Sequence, residues 1–314
     1  MEVALAIAGG LFLLAFLFIL TCFLLVFYSP KRKVLGDDEY EIPKGEIYEE
    51  FRERIVGWTK DIRRAPYDVF EIRSNDGLTL RARYYEYAPG APIEILFHGY
   101  RGYAERDLCG GVERCHKLGR SALIVDQRAS GESDGHVITF GIRERVDCAL
   151  WARFAAERFP DSPLILTGIS MGAATVMTAL CEELPKSVVC VLADCGYTTP
   201  KAIISKVLRD IRLPVWLFYP AVKLGARLFG RFDLEEASAL AGVSKTNVPV
   251  IFIHGDEDDF VPYSMSEELY EACSSTHKRL VKITGAGHGL AFPRDEDGYI
   301  NALREFEKEA NFIS

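Results

Sequence analysis

Residues 166–172 read LTGISMG, which sets Ser170 between Gly168 and Gly172, each two positions away. G-x-S-x-G is the spacing of a nucleophile elbow, in which a serine rides a sharp strand-to-helix turn. Spacing alone is a weak signal, because a random chain of this length shows it in roughly one case in ten. The flanks strengthen it: PLILT before the motif reads as a short buried strand, and MGAATVMTALCEEL after it reads as a helix. A serine held there stands over a helix N-terminus, whose free N–H groups face any developing anion.

Working outward from the elbow, short apolar runs alternate with helical periodicity. Strands are expected over 93–97, 122–125, 164–167, 188–193, 250–254 and 280–284, and helices over 141–159, 171–183, 264–273 and 296–309. Ahead of them, DVFEIRS and LTLRARYYEY flank NDG, which predicts an antiparallel hairpin. Crossover units of this kind build a mostly parallel α/β sheet covered on both faces. One α/β domain over 67–314 follows, with no internal repeat. The interval between the sixth and seventh strands is too long for a simple crossover, so an insertion over about 197–246 is expected, a helical lid at the carboxyl edge of the sheet.

In an open α/β sheet the ligand sits outside the carboxyl ends of the strands. There the sequence places HGYRG, DQRASGES, GISMG, DCG, GDEDDFVP and GAGHG. A serine hydroxyl needs a base, and in this arrangement nucleophile, acid and histidine follow in that order. The order excludes His98, His116 and His136. His254 closes a strand and reads as a core or turn residue, and His277 sits at the wrong end of its strand. His288, between two glycines after the last strand, is the expected base. Asp256, Asp258 and Asp194 all remain open as its acid partner. The expected oxyanion donors are the backbone N–H groups of Met171 and Tyr100, with His98 bracing the Tyr100 loop. Asp126 and Arg128 read as a structural ion pair or turn.

The first thirty residues are of another kind. From Val3 to Tyr28 run 26 residues without a charge, enough to cross a hydrocarbon core with some tilt. The run lacks a basic n-region and a small-residue cleavage site, so an uncleaved anchor over 1–30 is expected. Lys31, Arg32 and Lys33 follow it and predict a cytoplasmic catalytic domain. Residues 31–66 form a linker whose part from Pro43 to Arg64 has amphipathic spacing, suited to lying on the domain or on the membrane surface. A net charge of −8 without a basic run excludes nucleic acid as a partner. The eight cysteines form no C-x-x-C pair and are expected reduced and non-catalytic.

With HGYRG, DQRASGES, GISMG, HGDEDDFVP and GAGHG in order, the chain from about Tyr67 onward resembles the α/β-hydrolase superfamily. The likeness is to its serine aminopeptidase-like and esterase group, and among those to bacterial members with an N-terminal membrane anchor. The resemblance implies eight strands with the second antiparallel, and it aligns the acid of H-G-x-x-D-x-x-V-P with Asp258. It implies hydrolysis of an ester, thioester or amide by Ser170, Asp258 and His288 through an acyl-enzyme, with no metal or organic cofactor. One departure stands out: the family pattern D-x-R-G-x-G-x-S has Ala129 in place of its first glycine. A carboxylesterase-like activity on a small, hydrophobic acyl substrate is the leading expectation. An aminopeptidase would need an acidic pocket, for which Glu105, Asp107 and Glu132 are the candidates. A membrane-bound scaffold without activity is the third reading.

Overall fold

A computed structural model describes residues 1–31, 35–36 and 38–311. Eight strands form one sheet in the order β1-β2-β4-β3-β5-β6-β7-β8. They are β1 (Asp68–Arg73), β2 (Thr79–Tyr85), β3 (Ile93–Phe97), β4 (Ser121–Asp126), β5 (Leu164–Ile169), β6 (Val188–Asp194), β7 (Val250–Gly255) and β8 (Lys278–Ile283). β2 runs antiparallel to both β1 and β4, and every other pair is parallel. β3, β4 and β7 are buried at every residue. That is why they read as mainly apolar runs rather than as alternating ones, with Glu94 of β3 buried against Arg114 and Arg120.

The helices are α1 (Glu2–Phe27), α2 (Glu46–Glu49), α3 (Arg52–Arg64), α4 (Ala104–Lys117), α5 (Glu144–Arg158), α6 (Met171–Thr178), α7 (Pro200–Asp210), α8 (Val215–Gly225), α9 (Ala239–Val243), α10 (Tyr263–Ala272), α11 (Ala291–Arg294) and α12 (Glu296–Ala310). The single helix expected over 43–64 is two pieces, α2 and α3, interrupted at Phe51 (φ −101°, ψ 3°). Phe51 is buried with Ile42, Ile55 and Ile62 against Leu108 and Val112 of α4. The amphipathic face therefore lies on the domain. The helix expected over 171–183 stops at Thr178 and finishes in a single 3₁₀ turn.

The long insertion is helical, and α7 begins with Pro200 behind Thr199, whose hydroxyl caps Ala202 N–H at 3.0 Å. The insertion packs along the lower half of α1. Phe18 meets Phe218, Phe16 and Phe23 meet Phe229, and Phe27 meets Phe232 at centroid distances of 5.3–5.6 Å. Gly225 permits the approach, because a Cβ there would stand 3.0 Å from the Phe23 Cβ and 3.2 Å from the Ile19 carbonyl. The end of α1 is tied down as well. Tyr100 donates its hydroxyl to Val26 O (2.6 Å), and Arg101 donates to Leu25 O and Tyr28 O (2.8 and 3.0 Å). These bonds satisfy carbonyls that a helix end leaves without partners. Of the basic residues after α1, Arg32 and Lys33 lie outside the described residues.

Ala129, where the family pattern has glycine, sits at φ +60° and is buried. Left-handed backbone costs an L-residue roughly 1–2 kcal/mol. Against this, glycine adds about 0.4–1 kcal/mol of unfolded-state entropy, and the buried methyl is worth about 0.8 kcal/mol. The terms nearly cancel, which explains how alanine is tolerated. Ala129→Gly should change stability by less than about 1 kcal/mol, read from denaturation midpoints. Ala129→Val should destabilise clearly, because a β-branched side chain is a poor fit to positive φ.

Candidate active site

β5 delivers the chain to Ser170 and α6 carries it away, and between them the backbone turns through φ +56°, ψ −115° at Ser170. Such a conformation costs of the order of 1–3 kcal/mol and persists only where its surroundings enforce it. The two glycines are part of that enforcement. A Cβ on Gly168 would lie 2.2 Å from the Gly172 backbone, and one on Gly172 would lie 2.0 Å from Phe97 O. Ser170 N–H also donates to Asp194 O at 2.8 Å, which fixes the turn against β6.

His288 Nε2 lies 2.9 Å from Ser170 Oγ, and its Nδ1 lies 2.7 Å from Asp258 Oδ2. The pattern corresponds to the tautomer with its proton on Nδ1, leaving Nε2 to accept from the serine hydroxyl. Asp258 is buried after β7, where its Oδ1 accepts from the N–H groups of Phe260 (2.9 Å) and Val261 (2.8 Å). Burial alone would raise this carboxyl. Hydrogen bonds from His254 and His288, the His288 ring and the Val261 amide together hold it far below the usual carboxylate range.

The three candidate acids have separate surroundings. Asp256 Oδ1 accepts from Gly285 N–H at 2.7 Å and braces a turn. Asp194 Oδ2 accepts from the Tyr299 hydroxyl at 2.9 Å, and its Oδ1 has no partner among the described residues. Burial raises the Asp194 carboxyl, with the Tyr299 bond pulling partly the other way. Of the three, Asp258 is the one bonded to His288. His254 has more to do than fill the core: its Nε2 faces Asp258 Oδ2 (3.2 Å) and Val261 O (2.9 Å), while Nδ1 meets Ser266 Oγ at 2.6 Å.

The loop after β3 also comes close to Ser170, so that a Cβ on Gly99 would stand 3.6 Å from the Ser170 Cβ. Tyr100 lines the cleft, and Met171 is buried as the first residue of α6. His98 lies beneath this loop: Nδ1 is 2.8 Å from Gly99 O, and Nε2 accepts from Gln127 N–H at 3.0 Å. Burial lowers its pKa and keeps the ring neutral. Asp126 and Arg128 do not pair with each other. Asp126 accepts from the N–H groups of Ala104 and Glu132 (2.8 and 3.0 Å). Arg128 grips Asp147 and Asp76 (2.6 and 2.8 Å).

Ser170 and His288 open on a cleft of about 740 Å³ with mainly apolar walls. Its roof is the linker segment from Pro43 to Tyr48, with Ile55 and Trp58 of α3, and no residue of 197–246 lines it. Tyr48 donates its hydroxyl to His288 O at 3.0 Å. No local sequence signal foretells this bond across 240 positions. The insertion reaches the site indirectly, through Lys206, which donates to Asp259 O and lies 5.8 Å from the Phe260 ring. Phe260 in turn rests 5.0 Å from the His288 ring.

The acids considered for binding an amine each have an arginine beside them. Glu105 bonds Arg63 and Arg83 (2.7 and 2.9 Å), Asp107 bonds Arg106 (2.5 Å), and Glu132 lies 3.8 Å from Arg83. Of these only Asp107 lines the cleft. Cys195, Asp258 and His288 bring ligand-type atoms within 4.8 Å of one another, the spacing of a metal site. Burial pushes the Cys195 thiol well up, so it stays protonated, and the other two side chains are bonded to each other. All eight cysteines are free thiols.

The description "Serine aminopeptidase, S33" belongs to a family model that matches residues 92–224 and 234–295. Among curated proteins, the chain is similar to the uncharacterized protein YqkD of Bacillus subtilis, with 29% identity over 196 residues, 62% of this chain and 64% of that one. It is also similar to the uncharacterized membrane protein YNL320W of Saccharomyces cerevisiae, with 24% identity over 63% of this chain and 64% of that one. The chain thus matches 64% of the length of each of these two relatives. Among solved structures, the Pyrococcus furiosus esterase Pf2001 superposes with a TM-score of 0.65 at 22% identity, covering 90% of this chain and 98% of that one. That likeness is one of fold. The family match runs from β3 through the end of α11 and takes in Ser170, Asp258 and His288, and the chain belongs to the serine aminopeptidase S33 family of the α/β-hydrolase fold.

Proposed function

We propose that the protein is a serine hydrolase acting on carboxylic esters or thioesters of an apolar acyl group. The observation that carries this reading is the bonded series Ser170, His288, Asp258 at the mouth of an apolar cleft. His288 takes the Ser170 proton as Oγ attacks the carbonyl carbon, and Asp258 stabilises the imidazolium that forms. The Met171 and Tyr100 N–H groups are the donors for the tetrahedral oxyanion. The imidazolium then protonates the leaving group, and a water deprotonated by His288 releases the acid from the acyl-enzyme. This route requires no metal or organic cofactor.

The family's name favours a second reading, cleavage of an aminoacyl amide. Pairing of Glu105, Asp107 and Glu132 with arginines weighs against it, while the buried Asp194 oxygen without a partner among the described residues weighs for it. A panel of short-chain esters, long-chain acyl esters and aminoacyl amides separates the two. A preference for the amides would overturn the ester reading. In His254→Ala, the Asp258 carboxylate loses one of its holders, and kcat should fall about tenfold or more with KM nearly unchanged. An unaltered kcat would remove His254 from the positioning of the acid.

We read α1 as a membrane span with the catalytic domain on the cytoplasmic side. Its 26 residues, of mean hydropathy 2.9 over the most apolar window, support the span, and the basic residues from Lys31 onward support the orientation. Protease accessibility of the domain in sealed inverted vesicles, against right-side-out ones, tests both.

A further inference from the structure

We propose that the insertion is a membrane-dipping face: α8 and the turn after it lie in the same bilayer that α1 crosses. This rests on reading α1 as a span. The charge of Glu2 bounds the apolar run of α1 at its outer end; from Glu2 to Ala15 every residue is exposed, and Phe16 is where the rings of α1 first meet the insertion, at Phe229. At 1.5 Å per residue that free stretch is about 21 Å long, against a hydrocarbon core of about 30 Å. The remaining ~9 Å has to come from the part of α1 that is packed on the domain, and tilting the helix only lengthens the path. The surface beside Phe16 and Phe18 must then enter the bilayer with them.

That surface is suited to do so. Trp216 is 78% exposed, and Ile211, Leu217, Leu224 and Leu228 stand out around it as exposed apolar side chains. Between Ile211 and Phe232 the chain carries Arg212, Lys223, Arg227 and Arg231 and no acidic residue. Lys223 and Arg227 lean on Glu235 and Asp233. An apolar helix face bordered by cations, with a tryptophan at its edge, is the composition of an interfacial helix, which embeds about 5–10 Å. The depth required by α1 and the depth such a helix adopts agree. The same placement sets Tyr100 and Arg101, which line the cleft and bond the last turn of α1, beside the lipid headgroups.

The experiment uses the full-length chain in vesicles of phosphatidylcholine and phosphatidylglycerol, either plain or brominated on the acyl chains near the headgroup. The emission of wild type minus that of Trp216→Phe isolates Trp216 from Trp58 and Trp151. The expected result is a blue-shifted difference spectrum that loses most of its intensity in the brominated vesicles. Trp216 is exposed, so the variant should melt as wild type does. An unquenched difference spectrum in protein that resists carbonate extraction would show α8 in water and overturn the inference while α1 still spans. Release by carbonate would remove the span, and the inference with it.

Discussion

Replacing Ser170 by alanine is expected to lower kcat by about 10⁴- to 10⁶-fold and to abolish covalent labelling by a fluorophosphonate. The variant isolates the hydroxyl. Alanine keeps the Cβ and meets the same φ of +56°, so the elbow's strain is carried over rather than released. Removing Oγ breaks the 2.9 Å hydrogen bond to His288. Stability should move by no more than about 1 kcal/mol, the usual worth of one hydrogen bond. Rate loss without unfolding therefore assigns the chemistry to Oγ. Retention of ester hydrolysis above about a hundredth of wild type, in a preparation free of other hydrolases, would sink the mechanism.

The parts legible in the sequence are those in which local chemistry and fold agree. LTGISMG declares its turn because only small residues fit where Gly168 meets Gly172 and Gly172 meets Phe97. The buried strands are plain as apolar runs, and NDG marks the first hairpin through the turn closed by Ser74 and Leu78. What the sequence could not disclose are contacts between distant segments. Tyr100 reads as an oxyanion-loop residue, but nothing local says that its phenol will close on Val26, 74 positions earlier. The insertion reads as a lid because it is long and apolar. Its apolar residues instead pack on α1 and face outward, while the cleft is roofed by 43–48, whose pattern carries no pocket signature. The three acids could not be ranked for the same reason, since a carboxylate's role depends on which donors the fold turns toward it.

Asp258→Asn and Asp194→Asn, made separately, should give opposite results. In Asp258→Asn the imidazolium formed during attack loses its counter-charge, and an amide offers Nδ1 an N–H where it needs an acceptor. A loss of about 10⁴ in kcat follows from the wrong tautomer. Stability should fall as well. The folded carboxyl lies below its unfolded value of about 3.9, so its contribution is fully present above that range and is lost only as pH falls through the folded value. At neutral pH the whole contribution is forfeited in the variant. Asp194 is shifted the other way, upward by burial. Its ionisation opposes folding as pH rises above the unfolded value, and a neutral amide that still accepts from Tyr299 removes this penalty. Asp194→Asn should keep most of the ester activity and be as stable as wild type or more so. If Asp194→Asn instead lost several decades of kcat while Asp258→Asn did not, the acid assignment would be reversed.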